Sequence, residues 1–177
     1  MIAIVVVGVA LIWLLFYVGV SGRRRTFASL RAAWVPHKAE RLPQGFLPRG
    51  GEAVLFSGRA RISLPAVQTS SYGFVAGFAA GTSDSKIVLG DAKSGWLVIT
   101  TRRILIFAGA NVREWPLAQV AAATGQVTLS ATRLKLSISN VGVVVADLDL
   151  RACAHADAAL AAATAETLPA WPIPSLS

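Results

Sequence analysis

Hydrophobic and polar positions change their rhythm three times along this chain. From Ile2 to Val20 there is neither a charge nor a proline. At 1.5 Å per residue a helix over that run is about 28 Å long, close to the hydrocarbon thickness of a bilayer. A helix satisfies every backbone group within the segment, as lipid demands, so the run predicts a spanning helix over residues 1–21. After Gly50 the period shortens to two. Ala60, Ile62 and Leu64 alternate with Arg59, Arg61 and Ser63, which predicts a strand over Glu52–Leu64. Trp96–Ile99 and Ile104–Phe107 are apolar runs joined by Thr100-Thr101-Arg102-Arg103, the pattern of a hairpin. Further short strands are expected at Val112–Trp115, Gln119–Ala123, Gln126–Leu129, Arg133–Ile138 and Val141–Leu148. Gly109-Ala110-Asn111, Thr124-Gly125 and Ser139-Asn140 would turn between them. From Asp149 to Thr167 the chain is almost all alanine, with Leu150 and Leu160 as larger anchors and Asp149 as N-cap, which predicts a closing helix. The expected class is α+β, mostly β: a spanning helix, then a small barrel or sandwich of about seven strands capped by a helix.

Two segments fit neither rhythm. Residues 22–49 form a basic connector in which Pro36, Pro43 and Pro48 bar a long helix. Within it Phe27, Leu30 and Trp34 fall at helical spacing, predicting a short helix over Thr26–Trp34. Its apolar side either packs on the folded domain or lies on the membrane, with Phe27 and Trp34 dipped in and the arginines on headgroups. Residues 65–94 hold an apolar glycine-rich stretch with no charge from Gln68 until Asp84. It reads either as a bulged strand pair inside the barrel or as a loop presenting Tyr72, Phe74 and Phe78 to a membrane or a partner. The domain is expected over 50–167, and a proline-containing tail over 168–177.

Charge sharpens the first element. The net charge is +8, but it is concentrated between Gly22 and Arg61, where nine basic residues face only Glu40 and Glu52. From Ile62 onward eight basic residues nearly balance seven acidic ones. A basic run beside an apolar helix fits membrane topology and anionic lipid better than nucleic acid, whose binders carry the patch on the domain face. Nothing basic precedes the apolar run and Arg23-Arg24-Arg25 follow it, the reverse of a cleaved signal peptide. The same arginines predict an N-terminus outside and a domain on the cytoplasmic face of an inner or plasma membrane. Arg23, Arg24, Arg25 and Arg31, with Phe27 and Trp34, are the candidate membrane and lipid contacts.

Catalytic chemistry has little to work with. His37 and His155 are the two histidines and neither sits in a metal-ligand pattern. Gly73, Gly77 and Gly81 recur every four residues, not as a nucleotide fingerprint. Asp147 and Asp149 at a strand-to-helix junction read as a solvated neighbour and a cap. Cys153, the single cysteine, excludes an intrachain disulfide and reads as a small core residue between alanines. No nucleophile, base and orienting group assemble, so no enzyme, cofactor or metal is expected.

The run from Gly95 to Gly109, Gly-Trp-Leu-Val-Ile-Thr-Thr-Arg-Arg-Ile-Leu-Ile-Phe-Ala-Gly, resembles the hairpin of bacterial pleckstrin-homology-like (PH-like) and GRAM-like domains. There an apolar strand ends in Thr-x-x-Arg and a second apolar strand follows; Thr100 and Arg103 hold those places. Gly51-Glu52-Ala53-Val54-Leu55 resembles the opening of the family's first strand. Glu114-Trp115-Pro116-Leu117-Ala118-Gln119-Val120 resembles the strand–turn–strand that follows the hairpin. The resemblance covers residues 50 to 166 and implies a seven-stranded bent barrel closed by a C-terminal helix, in proteins many of which carry membrane helices. Residues 65–94 depart from the pattern. The expectation is a membrane-anchored binding module that serves other membrane proteins as scaffold or accessory subunit, with anionic-lipid binding as the alternative and an enzyme of unrecognised type ranked last.

Overall fold

The computed structural model describes residues 2–36, 41–70, 84–109 and 111–165. Helix α1, Ile2–Ala32, runs 31 residues without a break. It does not stop at residue 21 and begin again at 26: Ser21 and Gly22 stay helical, and the first proline is Pro36. Gly22 in a helix interior costs about 1 kcal/mol relative to alanine, which packing of the following turns on the domain offsets. Within α1, Val7–Ala32 is long and apolar enough to cross a membrane by length and composition, and none of its most apolar window is buried.

Seven strands make one antiparallel sheet. In chain order they are β1 (Val54–Ser63), β4 (Lys93–Thr100), β5 (Arg103–Ala108), β6 (Asn111–Pro116), β7 (Val120–Val127), β8 (Thr132–Ile138) and β9 (Gly142–Leu148). Their order across the sheet is β6-β5-β4-β1-β9-β8-β7. A four-strand meander is thus joined to a three-strand meander, and the seam is short: only Arg61–Ser63 pair with Val145–Asp147. Helix α2, Leu150–Thr164, is capped by Asp149, whose carboxylate accepts the Ala152 N–H. It packs on β1, β4, β7, β8 and β9, and Cys153, Ala156, Ala159 and Leu160 enter one core with Leu97, Ile99, Leu134, Leu136 and Val144. Alanine at most inward positions lets the helix approach the sheet closely.

Strands β4 and β5 read as continuous apolar runs because both of their faces are covered. Leu97, Ile99, Ile104 and Ile106 face the main core. Val98, Leu105 and Phe107 face outward onto Phe46, delivered by the proline-rich connector. Gly95 is required between them, since a Cβ there would lie 2.1 Å from the Phe107 carbonyl oxygen.

The structure departs from the sequence expectation at two further places. Thr124-Gly125 is no turn: β7 continues through it, with Thr124 opposite Lys135 and Gly125 opposite Leu134. In residues 65–94, β2 (Pro65–Ser70) and β3 (Asp84–Leu89) pair with each other as a separate two-stranded sheet. Tyr72, Phe74 and Phe78 lie outside the described residues.

Candidate functional site at the helix–domain junction

The C-terminal half of α1 is part of the domain. Phe27 reaches β7, where a Cβ on Gly125 would fall 2.4 Å from its ring. A lone glycine in a strand marks such a close approach. One turn on, Arg31 Nε sits 2.7 Å from Asp157 Oδ2. The other oxygen of that carboxylate accepts the Gly125 N–H at 3.1 Å, so Asp157 ties α1, α2 and β7 together. Arg23 Nη2 donates to Thr132 Oγ1 at 3.1 Å. Trp34 packs half-buried against the main core, as does Phe27. Arg24 and Arg25 stay exposed. Of the candidate membrane contacts, Arg23, Phe27, Arg31 and Trp34 are therefore engaged with the domain.

Thr100 and Arg103 come together in a polar knot at the β4–β5 turn. Thr100 Oγ1 accepts the Arg103 N–H at 2.9 Å and lies 2.7 Å from Glu52 Oε1 as donor. The Arg103 guanidinium grips Glu52 through Nε at 2.8 Å and Nη2 at 2.9 Å, and through Nη1 it binds Glu114 on β6. Nη2 also donates to the Leu47 carbonyl at 3.1 Å, and Arg49 reaches Glu114 at 2.6 Å. The Glu52 side chain is fully buried and Arg103 nearly so. The hydrogen bonds from Arg103 outweigh burial and hold the Glu52 carboxyl at about 2, well below its ordinary 4.5. Burial pushes Glu114 up, but the hydrogen bonds from Arg103 and Arg49 leave it below the usual range. The knot fastens the connector to the hairpin.

A cleft of about 530 Å³ opens beside the first turn of α2. Arg41, Arg59 and Arg151 line it with Ser57, Trp96, Asp149 and His155. The Arg59 guanidinium stands 5.5 Å from the centre of the Trp96 ring, a cation–π distance that holds it at the mouth. Asp149, the acid of the lining, is committed to capping α2. Ser57 Oγ is buried without a hydrogen-bond partner among the described residues. The electrostatics suit an anion.

Sequence reasoning singled out neither Asp157, Gly125, Arg41, Arg151 nor Ser57 as site residues. Two of them left a trace: Asp157 is an acid inside an alanine helix, and Gly125 stands between two strand-like runs, where it reads as a turn. Burial raises the Cys153 thiol to about 12, with Asp157 and Asp149 adding to it, so the residue is an inert core filler. Among the described residues no three His, Cys, Asp or Glu side chains converge to hold a metal. No family model matches the chain, and neither the curated proteins nor the solved structures yield a match.

Proposed function

We propose that this chain is a membrane-tethered, PH-like binding module that serves other membrane proteins as a scaffold or accessory subunit. The observation that carries this reading is the continuity of α1. Its apolar half is dimensioned for a bilayer and its second half is built into the domain through Phe27, Arg31 and Asp157. The strand sequence supports the PH-like reading: a four-strand meander, a three-strand meander and a closing helix, with β2–β3 inserted after the first strand. Arg23–Arg25 after the apolar run favour a domain on the cytoplasmic face. Tethering raises the effective concentration of a weak binding face toward neighbours in the same membrane. Affinity purification of the full chain from native membranes in mild detergent, followed by mass spectrometry, tests this. A recurring integral-membrane partner is expected; recovery of the chain alone at every detergent strength overturns it.

The second reading, binding of anionic lipid, is favoured by the arginine-lined cleft at Arg41, Arg59 and Arg151. Native mass spectrometry of the detergent-purified chain should then retain anionic lipid in preference to zwitterionic lipid. Retention indifferent to headgroup charge removes this reading.

A further inference from the structure

The contacts of α1 do more than attach the domain; they determine which end of it lies nearest the apolar run. Gly19, in the last turn of that run, abuts Leu129 at the tip of the turn between β7 and β8: a Cβ on Gly19 would come within 2.9 Å of Leu129 Cδ2. Four residues on, Arg23 bonds Thr132, the first residue of β8. Phe27 then meets Gly125, further along β7, and Arg31 meets Asp157 in the middle of α2. From Gly19 to Arg31 the helix rises about 18 Å, and each step moves the contact deeper into the domain. The β7–β8 turn is therefore level with the final apolar turn of α1.

The chemistry of that end matches its position. Leu129 is 38% exposed, one of four exposed large apolar side chains among the described residues from 54 to 165, with Leu89, Val112 and Val143. Thr132 pairs with Leu148, the residue before the α2 cap, so Arg151 in the first turn of α2 shares this end with Arg23 and Arg24. An apolar tip rimmed by arginines is the composition of a surface that meets the acyl–headgroup boundary. The turn at Ser139-Asn140, by contrast, lies at the other end of β8. Seven residues of strand separate the two ends, about 23 Å at the usual rise.

We propose that the β7–β8 turn, Thr128–Ala131, is a second membrane contact, with Leu129 inserted into the interfacial layer of the bilayer and Arg24 and Arg151 over its headgroups. The partner is lipid of the same membrane, and the proposal rests on the reading that α1 crosses it. A domain so seated is held at two points, the helix and the turn, and resists tilting away from the bilayer surface.

Site-directed fluorescence tests this on the full chain reconstituted in liposomes. Single cysteines are introduced as L129C, S130C, L14C and S139C and labelled with an environment-sensitive dye. Cys153 stays silent because it is buried and its thiol is pushed up to about 12. Brominated lipids then quench whatever lies in the bilayer. Label at Leu14 reports the anchor, and label at Ser139 reports the far end of the domain. The expected result is strong quenching at 14, substantial quenching with a blue-shifted emission at 129 and 130, and none at 139. Quenching at 14 with positions 129 and 130 as wet as 139 overturns the membrane contact and leaves the anchor standing. No quenching at 14 overturns the anchor and this contact with it.

Discussion

Arg103 is the residue whose removal should cost the domain most for the fewest atoms changed. In Arg103→Met the alkyl stem survives while the guanidinium that binds Glu52, Glu114 and the Leu47 carbonyl is lost. Glu52 has a fully buried side chain, so its carboxylate is left without its compensating charge. Two routes give the magnitude. The carboxyl is held at about 2 against an ordinary 4.5, and at about 1.4 kcal/mol per pH unit that gap is worth about 3 kcal/mol. Breaking one partner of a buried pair typically costs about 3–5 kcal/mol. The two agree, and urea unfolding of the full chain in detergent micelles, followed by tryptophan fluorescence at pH 7, should show a loss of that size. The double variant Glu52→Gln/Arg103→Met should lose less than the sum of the single variants, because no charge remains stranded. The pH dependence gives the sign. A carboxyl lowered in the folded state stabilises above its unfolded value, and that contribution is lost as pH falls from about 4.5 through about 2. In Arg103→Met the largest of the lowering influences on Glu52 is gone, leaving burial opposed by the bonds from the Arg49 N–H and the Thr100 hydroxyl. Its carboxyl rises relative to the parent, so acidification should narrow the gap between variant and parent. A loss below about 1 kcal/mol at pH 7, or a gap that widens on acidification, refutes the account.

Gly125→Leu should undock α1, because the new side chain would occupy the space of the Phe27 ring; protease cleavage after Arg23–Arg25 becomes fast while the far-ultraviolet spectrum of the sheet is retained. If cleavage stays slow, Phe27 does not hold the helix. Cys153 should resist thiol reagents at pH 8 until the chain unfolds, since burial raises its thiol to about 12; modification in the folded state at the rate of a free thiol would mean that α2 detaches from the sheet.

Legibility followed the range of the interactions. The β4–β5 hairpin was plain because both its faces are buried, so every residue from Trp96 to Ile99 and Ile104 to Phe107 carries the signal. The α2 cap was plain because Asp149 acts on a neighbour three residues away. The unbroken α1 was not, because Ser21, Gly22 and three arginines look like an ending until Thr132, Gly125 and Asp157, each about a hundred residues distant or more, supply partners. The same distance hid Gly125, which locally has the signature of a turn and is in fact a notch cut for Phe27. The arginine cleft draws on four separate segments, 41, 55–59, 96 and 149–155, and no window along the chain contains it. Thr100 and Arg103 were visible as a motif, while their buried partner Glu52 was legible only as the start of a strand.

The fusion of anchor and domain bears on how a tethered module would work. A flexible linker raises the local concentration of a binding face but leaves its orientation free. Here α1 is about 46 Å long; on the proposed reading a bilayer takes about 30 Å of it, and the remainder is clamped by Phe27, Arg31 and Arg23. Orientation is then fixed together with proximity, and the association cost of orienting the face is met in advance. Inserting Gly-Ser-Gly-Ser between Ser21 and Gly22 separates the two effects. Residues 23–34 remain docked, so the urea midpoint should not move, while the rigid path to the bilayer is cut. If orientation matters, recovery of the membrane partner in the purification above should fall several-fold at unchanged expression, as expected when a pre-organised geometry is lost. Undiminished recovery would mean that proximity alone suffices and that the uninterrupted helix serves only the stability of the domain.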